Sequence, residues 1–167
     1  DRIKANNGFI PILKEVLSFD KSFKYPFDSL ETLAILSPED KSFRLFNWIL
    51  RKDNGTYDYF CLIHYNNKKK KKFEIIELFD KSETIRNEKF EDLDSKNWYG
   101  ALYYEIIYIK KSGRKYYTLL GWDGNDGRST KKIIEPIYFS GKNKVKFGLP
   151  IFKLKDKTRP KRIILEC

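Results

Sequence analysis

The chain has 167 residues, 34 Lys and Arg against 23 Asp and Glu, a net charge of +11 and 16% aromatic side chains. That length and aromatic content exclude a disordered chain and point to a single domain, residues 1–167, that buries its own core. Two cysteines (Cys61, Cys167) and one histidine (His64) exclude a disulfide framework and a Cys/His zinc set, and no run of about 18 apolar residues could form a membrane-spanning helix.

In chain order, Phe9, Ile12, Leu13, Val16 and Leu17 recur at helical spacing and predict an amphipathic helix over residues 7–18, with Pro11 in its first turn. "FKYPFDSL" reads as an extended, proline-broken connection, "ETLAIL" as a short strand and "SPED" as a turn. The stretch "FRLFNWILRKDNGTYDYFCLIHY" predicts a long hairpin. A type I′ turn at Asn54-Gly55 would set Arg51 opposite Asp58 and put His64 on one face with Asn47, Phe60 and Leu62. Both faces of this hairpin are largely apolar, so both are expected to be covered. "NNKKKKK" is a polar loop and "FEIIELF" a strand, after which residues 80–99 are irregular with a short helix near 83–93.

A second hairpin spans "ALYYEIIYIKKSGRKYYTLLGW". With Ser112-Gly113 as its turn, Ile109 faces Tyr116, Tyr108 faces Tyr117, Tyr103 faces Trp122, and Tyr104 lies over Gly121. "KKIIEPIYF", "FGLPIFKLK" and "KRIILEC" follow as strands, with a turn at "SGKN". The expected fold class is mainly β, an antiparallel sandwich or partly open barrel with one N-terminal helix against it.

Five candidate chemistries arise. The loop "WDGNDGRSTKK" crowds Asp123, Asn125 and Asp126, as a calcium loop does. Counted from Asp123, however, Gly127 stands where the fifth-position ligand belongs and Ile134 where the closing Glu belongs. It reads instead as a turn whose Asp and Asn side chains bond their own backbone. Lys68, Lys69, Lys70, Lys71 and Lys72 form an anion-binding surface or a solvated loop; the run itself holds no aromatic for stacking. His64 lacks the partners of a triad and is expected to be a hydrogen-bonded structural residue, and Cys61 a small buried apolar one. Glu74, Glu77, Glu105, Asp123 and Asp126 are the carboxylates from which a hydrolytic pair could be drawn. Glu105 stands out on a face with Tyr103, Ile107, Ile109, Tyr116, Leu120 and Trp122, where a buried, hydrogen-bonded carboxylate is expected. No metal or cofactor motif is present, and none is expected.

"YPFDSLETLAILSPEDKSFRLFNW", "NWYGALYYEII", "YYTLLGWDGNDGRSTKKIIEPIYF", "FGLPIF" and "KRIILEC" resemble a family of uncharacterised exported, β-rich proteins of Bacteroidetes-type bacteria, over most of residues 19–167. The resemblance implies a periplasmic or outer-membrane setting, although "DRIKANNGFI" lacks the apolar segment of a signal peptide. It also implies a chain that continues past Cys167, and it carries no activity or site residue. The expected function is a non-catalytic binding or scaffolding domain of the bacterial cell envelope, with other envelope proteins as partners. The alternatives are a binder of nucleic acid or another anionic polymer through lysine-rich surfaces, including anionic lipid, and a carboxylate-dependent hydrolase.

Overall fold

A computed structural model describes residues 1–141 and 144–167. Its first element is a helix, α1 (Arg2–Leu17). The helix begins earlier than its apolar stripe suggests, because Asp1 caps it, accepting hydrogen bonds from the backbone of Ile3 at 3.0 Å and Lys4 at 3.5 Å. Pro11 therefore sits in the interior. The buried face runs through Asn6, Phe9, Ile10, Leu13 and Leu17, while Ile12 and Val16 of the expected stripe are 61% and 37% exposed. Asn6 accepts a hydrogen bond from the Trp48 indole at 2.7 Å, which locks this face to the sheet. A 3-10 turn over Asp20–Lys24 opens the connection read as extended.

The first sheet is a meander of β1 (Ala34–Leu36), β2 (Phe43–Arg51), β3 (Tyr57–Asn67) and β4 (Lys72–Phe79). The β2–β3 hairpin is as long as expected, but its register differs by one residue: Arg51 faces Tyr57, and Leu50 faces Asp58. The loop runs from Lys52 to Thr56, and of Asn54 and Gly55 only Gly55 has positive φ, at 87°. Asn54 instead accepts hydrogen bonds from the Thr56 backbone at 3.0 Å and hydroxyl at 2.7 Å. Asp58 pairs with Lys52 at 3.0 Å rather than with Arg51. A one-residue slip exchanges faces across the hairpin. Phe43, Leu45, Tyr59, Cys61 and Ile63 enter the core between the sheets, and Phe46, Trp48, Phe60 and Leu62 pack beneath α1. Both faces are covered, as the composition requires.

The second sheet contains β5 (Leu93–Asp94), β6 (Leu102–Lys111), β7 (Arg114–Asp123), β8 (Lys131–Phe139), β9 (Val145–Phe147) and β10 (Ile163–Glu166). Its order is β5-β9-β8-β7-β6, with β10 beside the first half of β8. Ser112 and Gly113 both take positive φ, at 50° and 74°, and the predicted register holds from Lys111 opposite Arg114 to Glu105 opposite Leu120. A bulge at Tyr104 then shifts it, so Leu102 meets Trp122 and Tyr103 meets Gly121. The ring over bare backbone is therefore Tyr103; a Cβ on Gly121 would lie 2.9 Å from its Cδ1. The helix expected near 83–93 is only a 3-10 turn, Ser82–Thr84, and most of "FGLPIFKLK" is turn and loop. The turn expected at 140–143 lies partly outside the described residues.

The sheets pack face to face as a sandwich, and neither closes into a barrel. Asn47 stitches them together, donating to the Ala101 carbonyl at 3.0 Å and accepting from the Tyr103 backbone at 2.6 Å. A buried network supports the far side. Glu135 accepts from Arg162 at 3.0 Å and from the Tyr103 hydroxyl, and Arg162 reaches the backbone carbonyls of Glu88, Glu91 and Phe147. Among the described residues, no helix is long and apolar enough to cross a membrane.

Candidate functional site

Strand direction delivers the chain's charges to opposite ends of the sandwich. β3, β7 and β8 carry the β3–β4 turn, the start of β7 and the end of β8 to one end. There Lys68, Lys69, Lys70 and Lys115 line a groove of about 390 Å³ with Tyr65, Tyr117, Tyr138 and Phe139. Tyr65 and Phe139 stack with centroids 4.1 Å apart and planes 7° from parallel, across the seam between the two sheets. The lysine run contains no aromatic, yet the fold brings three tyrosines and a phenylalanine to it.

The five lysines do not act alike. Lys68, Lys69 and Lys70 are exposed at the groove. Lys71 takes positive φ, 52°, to close the turn, and Lys72 enters β4, where it pairs with Glu74 at 3.4 Å. Asn67 shapes the turn by accepting from the Lys70 backbone at 3.1 Å. Lys115 also pairs with Asp40 at 2.9 Å, and Asp40 accepts from the hydroxyls of Tyr117 at 2.7 Å and Ser42 at 2.8 Å. Burial works against the Asp40 charge, but these partners outweigh it and hold the carboxyl down at about 2.

The opposite end is a cleft of about 620 Å³ in which five carboxylates, Asp58, Asp80, Glu83, Glu88 and Asp123, outnumber three lysines, Lys52, Lys81 and Lys131, with Tyr59 and Tyr99 beside them. Asp123 is buried and accepts from the hydroxyls of Tyr59 at 2.8 Å and Tyr99 at 3.2 Å and from the Asn125 backbone at 2.8 Å. Burial pushes both tyrosine hydroxyls up, so they stay protonated donors. Asp126 accepts from the backbone of Arg128 at 2.9 Å and Ser129 at 3.1 Å, with Asn125 and Gly127 at positive φ. The glycine-rich loop is thus the self-bonded turn its sequence indicated. Among the described residues, no group of three or more His, Cys, Asp or Glu is placed to hold a metal ion.

Asp80 closes the cleft from the end of β4. Its carboxyl lies against Gly100, where a Cβ would come within 2.2 Å of it, and accepts from the Ser82 backbone and hydroxyl at 2.9 and 2.7 Å. Burial pushes this carboxyl up, against the lowering effect of Ser82. Of the carboxylates singled out in sequence, only Asp123 lines this cleft. Glu77 pairs with Lys14 of α1, Glu74 lies by the lysine turn, and Glu105 is exposed on the outer side of β6, where the bulge separates it from Tyr103. The expectation of a buried, hydrogen-bonded Glu105 is therefore corrected.

His64 is corrected as well. The register puts it beside Phe46, Phe60 and Leu62 on the α1 side, away from Asn47, and neither ring nitrogen has a hydrogen-bond partner among the described residues. It is fully buried against Phe23 and Phe73, with ring centroids 5.0 and 5.6 Å away, directly across from Arg44. Burial and the Arg44 cation push it down to about 4. Arg44 is held by the carbonyls of Ser22, Phe23 and Tyr25 at 3.3, 3.0 and 2.7 Å, so its charge clamps the 3-10 turn onto the sheet.

Asp80, Tyr59, Tyr99 and Lys115 belong to no motif that singles them out in sequence. Tyr138 and Phe139 end the strand segment "KKIIEPIYF" and carry no further signal in sequence. Fold and geometry define a two-sheet antiparallel β domain with a lysine- and aromatic-lined groove at one end and a carboxylate-bearing cleft at the other. Compared with protein-family models, curated proteins and solved structures, the chain matches none.

Proposed function

We propose that this protein is a non-catalytic binding domain that takes an anionic polymer at its lysine-bearing end. One observation carries the reading: Lys68, Lys69, Lys70 and Lys115, from two separate elements, converge on a groove walled by Tyr65, Tyr138 and Phe139. Lysine supplies charge without the planar fork that reads one geometry, which suits a repeating polyanion. Aromatic faces beside the charges can stack on sugars or bases. The resemblance to exported proteins favours an envelope setting and an acidic glycan as the polymer, held within a larger assembly. The test is retention on heparin and on single-stranded DNA across a salt series. Log affinity should fall linearly with log salt, and replacing Lys68, Lys69 and Lys70 with Ser should abolish retention while the melting temperature holds. Retention that survives this replacement would sink the reading; preference for DNA over the glycan would move nucleic acid ahead.

A second reading rests on Asp80 and Asp123 sharing one cleft. A carboxyl raised by burial beside a second carboxylate is the division of labour that acid–base hydrolysis uses. Hydrolysis of any glycan in a panel, lost in Asp80→Asn at unchanged melting temperature, would favour it. Turnover that persists in that variant would count against it.

A further inference from the structure

We infer that two copies of this chain join through the open edge of β6, antiparallel about Tyr108, into one continuous sheet. β6 is the last strand of its sheet and forms a ladder only with β7 among the described residues. The three-residue β1 of the other sheet comes near it at the corner of the sandwich without a ladder. An open edge offers a row of backbone donors and acceptors to another strand. Here the edge is also apolar: Ile107 is 39% and Ile109 54% exposed.

The occupant follows from the strand's own sequence. A two-fold axis perpendicular to the sheet keeps each side chain on its own side, so opposed residues must be separated by an even number of positions. Residues 105–111 read Glu-Ile-Ile-Tyr-Ile-Lys-Lys. With Tyr108 on the axis, Glu105 of each copy faces Lys111 of the other, and Ile107 faces Ile109. Shifting the strands by two residues either way sets Glu105 against Ile109 or against Gly113, so only the Tyr108 register gives Glu105 a cation. All four of these residues lie on the outer side of the sheet. On the inner side the Lys110 stem lies along Ile106. The strand is complementary to itself in charge and in apolar pairing, which is what an isologous contact requires.

Sedimentation equilibrium at concentrations up to millimolar tests this. The unmodified chain should show a monomer–dimer equilibrium. Glu105→Lys and Lys111→Glu each replace two attractive contacts with two repulsive ones and should each weaken the dimer by about tenfold or more. Both residues are exposed, so melting temperatures should not move. An equimolar mixture of the two variants restores both pairs and should form a heterodimer, as should a chain carrying both changes with itself. A monomer at every concentration, a dimer insensitive to either change, or weakening that the mixture fails to restore would each overturn the inference.

Discussion

The two ends of this sandwich use their charged side chains differently. At the carboxylate-bearing end Asp80 and Asp123 are committed to the fold: Asp123 takes two tyrosine hydroxyls and a backbone amide, and Asp80 is held by Ser82 and packed against Gly100. At the basic end Lys68, Lys69 and Lys70 stand in solvent around a groove. Buried charge must be satisfied internally or it costs several kcal/mol, whereas exposed charge costs the fold almost nothing and stays available to a ligand. The end with the larger cleft is thus the more structural one, and the end with the smaller groove is where a partner finds uncommitted charge.

This contrast can be broken by mutation. The largest effect should come from Arg162→Met, behind the carboxylate-bearing cleft. Arg162 and Glu135 are both fully buried, so losing the guanidinium strands a carboxylate and should cost about 3–5 kcal/mol in chemical denaturation. A loss below about 1 kcal/mol would mean that Glu135 is not held as a charge there.

Next in size is acid sensitivity at His64, on the α1 side of the first sheet. Its folded pKa of about 4 lies below the ordinary 6.5, so the unfolded chain binds the proton more readily. The stability due to a neutral His64 is complete above pH 6.5 and should fall by about 3 kcal/mol as pH drops from 6.5 to 4. His64→Phe should flatten that part of the pH–stability curve; an unchanged slope in the variant would assign the acid loss to other groups.

Asp123→Ala should cost about 2–3 kcal/mol, because it leaves the Tyr59 and Tyr99 hydroxyls short of an acceptor in a buried place. Thermal melts would measure it. A neutral result would turn the cleft into a surface feature and erase the difference between the ends. The smallest effect belongs to the basic end: replacing Lys68–Lys72 with Ser should leave stability within about 0.5 kcal/mol while removing polyanion binding. A large loss of stability there would mean that this charge, too, is structural.

Much of the fold was legible from local chemistry. Ser112-Gly113 gave both positive-φ positions and hence the β6–β7 pairing down to Glu105. Alternating apolar residues gave the strands, and the glycine-rich loop was readable as a turn because Asp and Asn can bond their own backbone. The Asn54-Gly55 hairpin shows where local reading stops. The same dipeptide serves a two-residue turn and a longer loop with glycine alone at positive φ, and the choice between them decides every face on β2 and β3. That choice belongs to the packing, which needed Phe43, Leu45 and Ile63 against the second sheet and Phe46, Trp48 and Leu62 against α1.

The candidate site was less legible, because its members are far apart in the chain. The lysine run was visible, but Lys115, Tyr138 and Phe139 join it only through strand order. Periodicity, turn residues and composition were enough to set the class of the fold, most of its strands and its excess of positive charge. Which lysines share a groove with aromatic rings, that Asp80 and Asp123 line one cleft at the other end, and that His64 is buried with no hydrogen-bond partner among the described residues came from the folded arrangement alone. Those facts depend on the register and stacking of two sheets, and such long-range pairing is fixed by the packing of the whole core rather than by any local stretch.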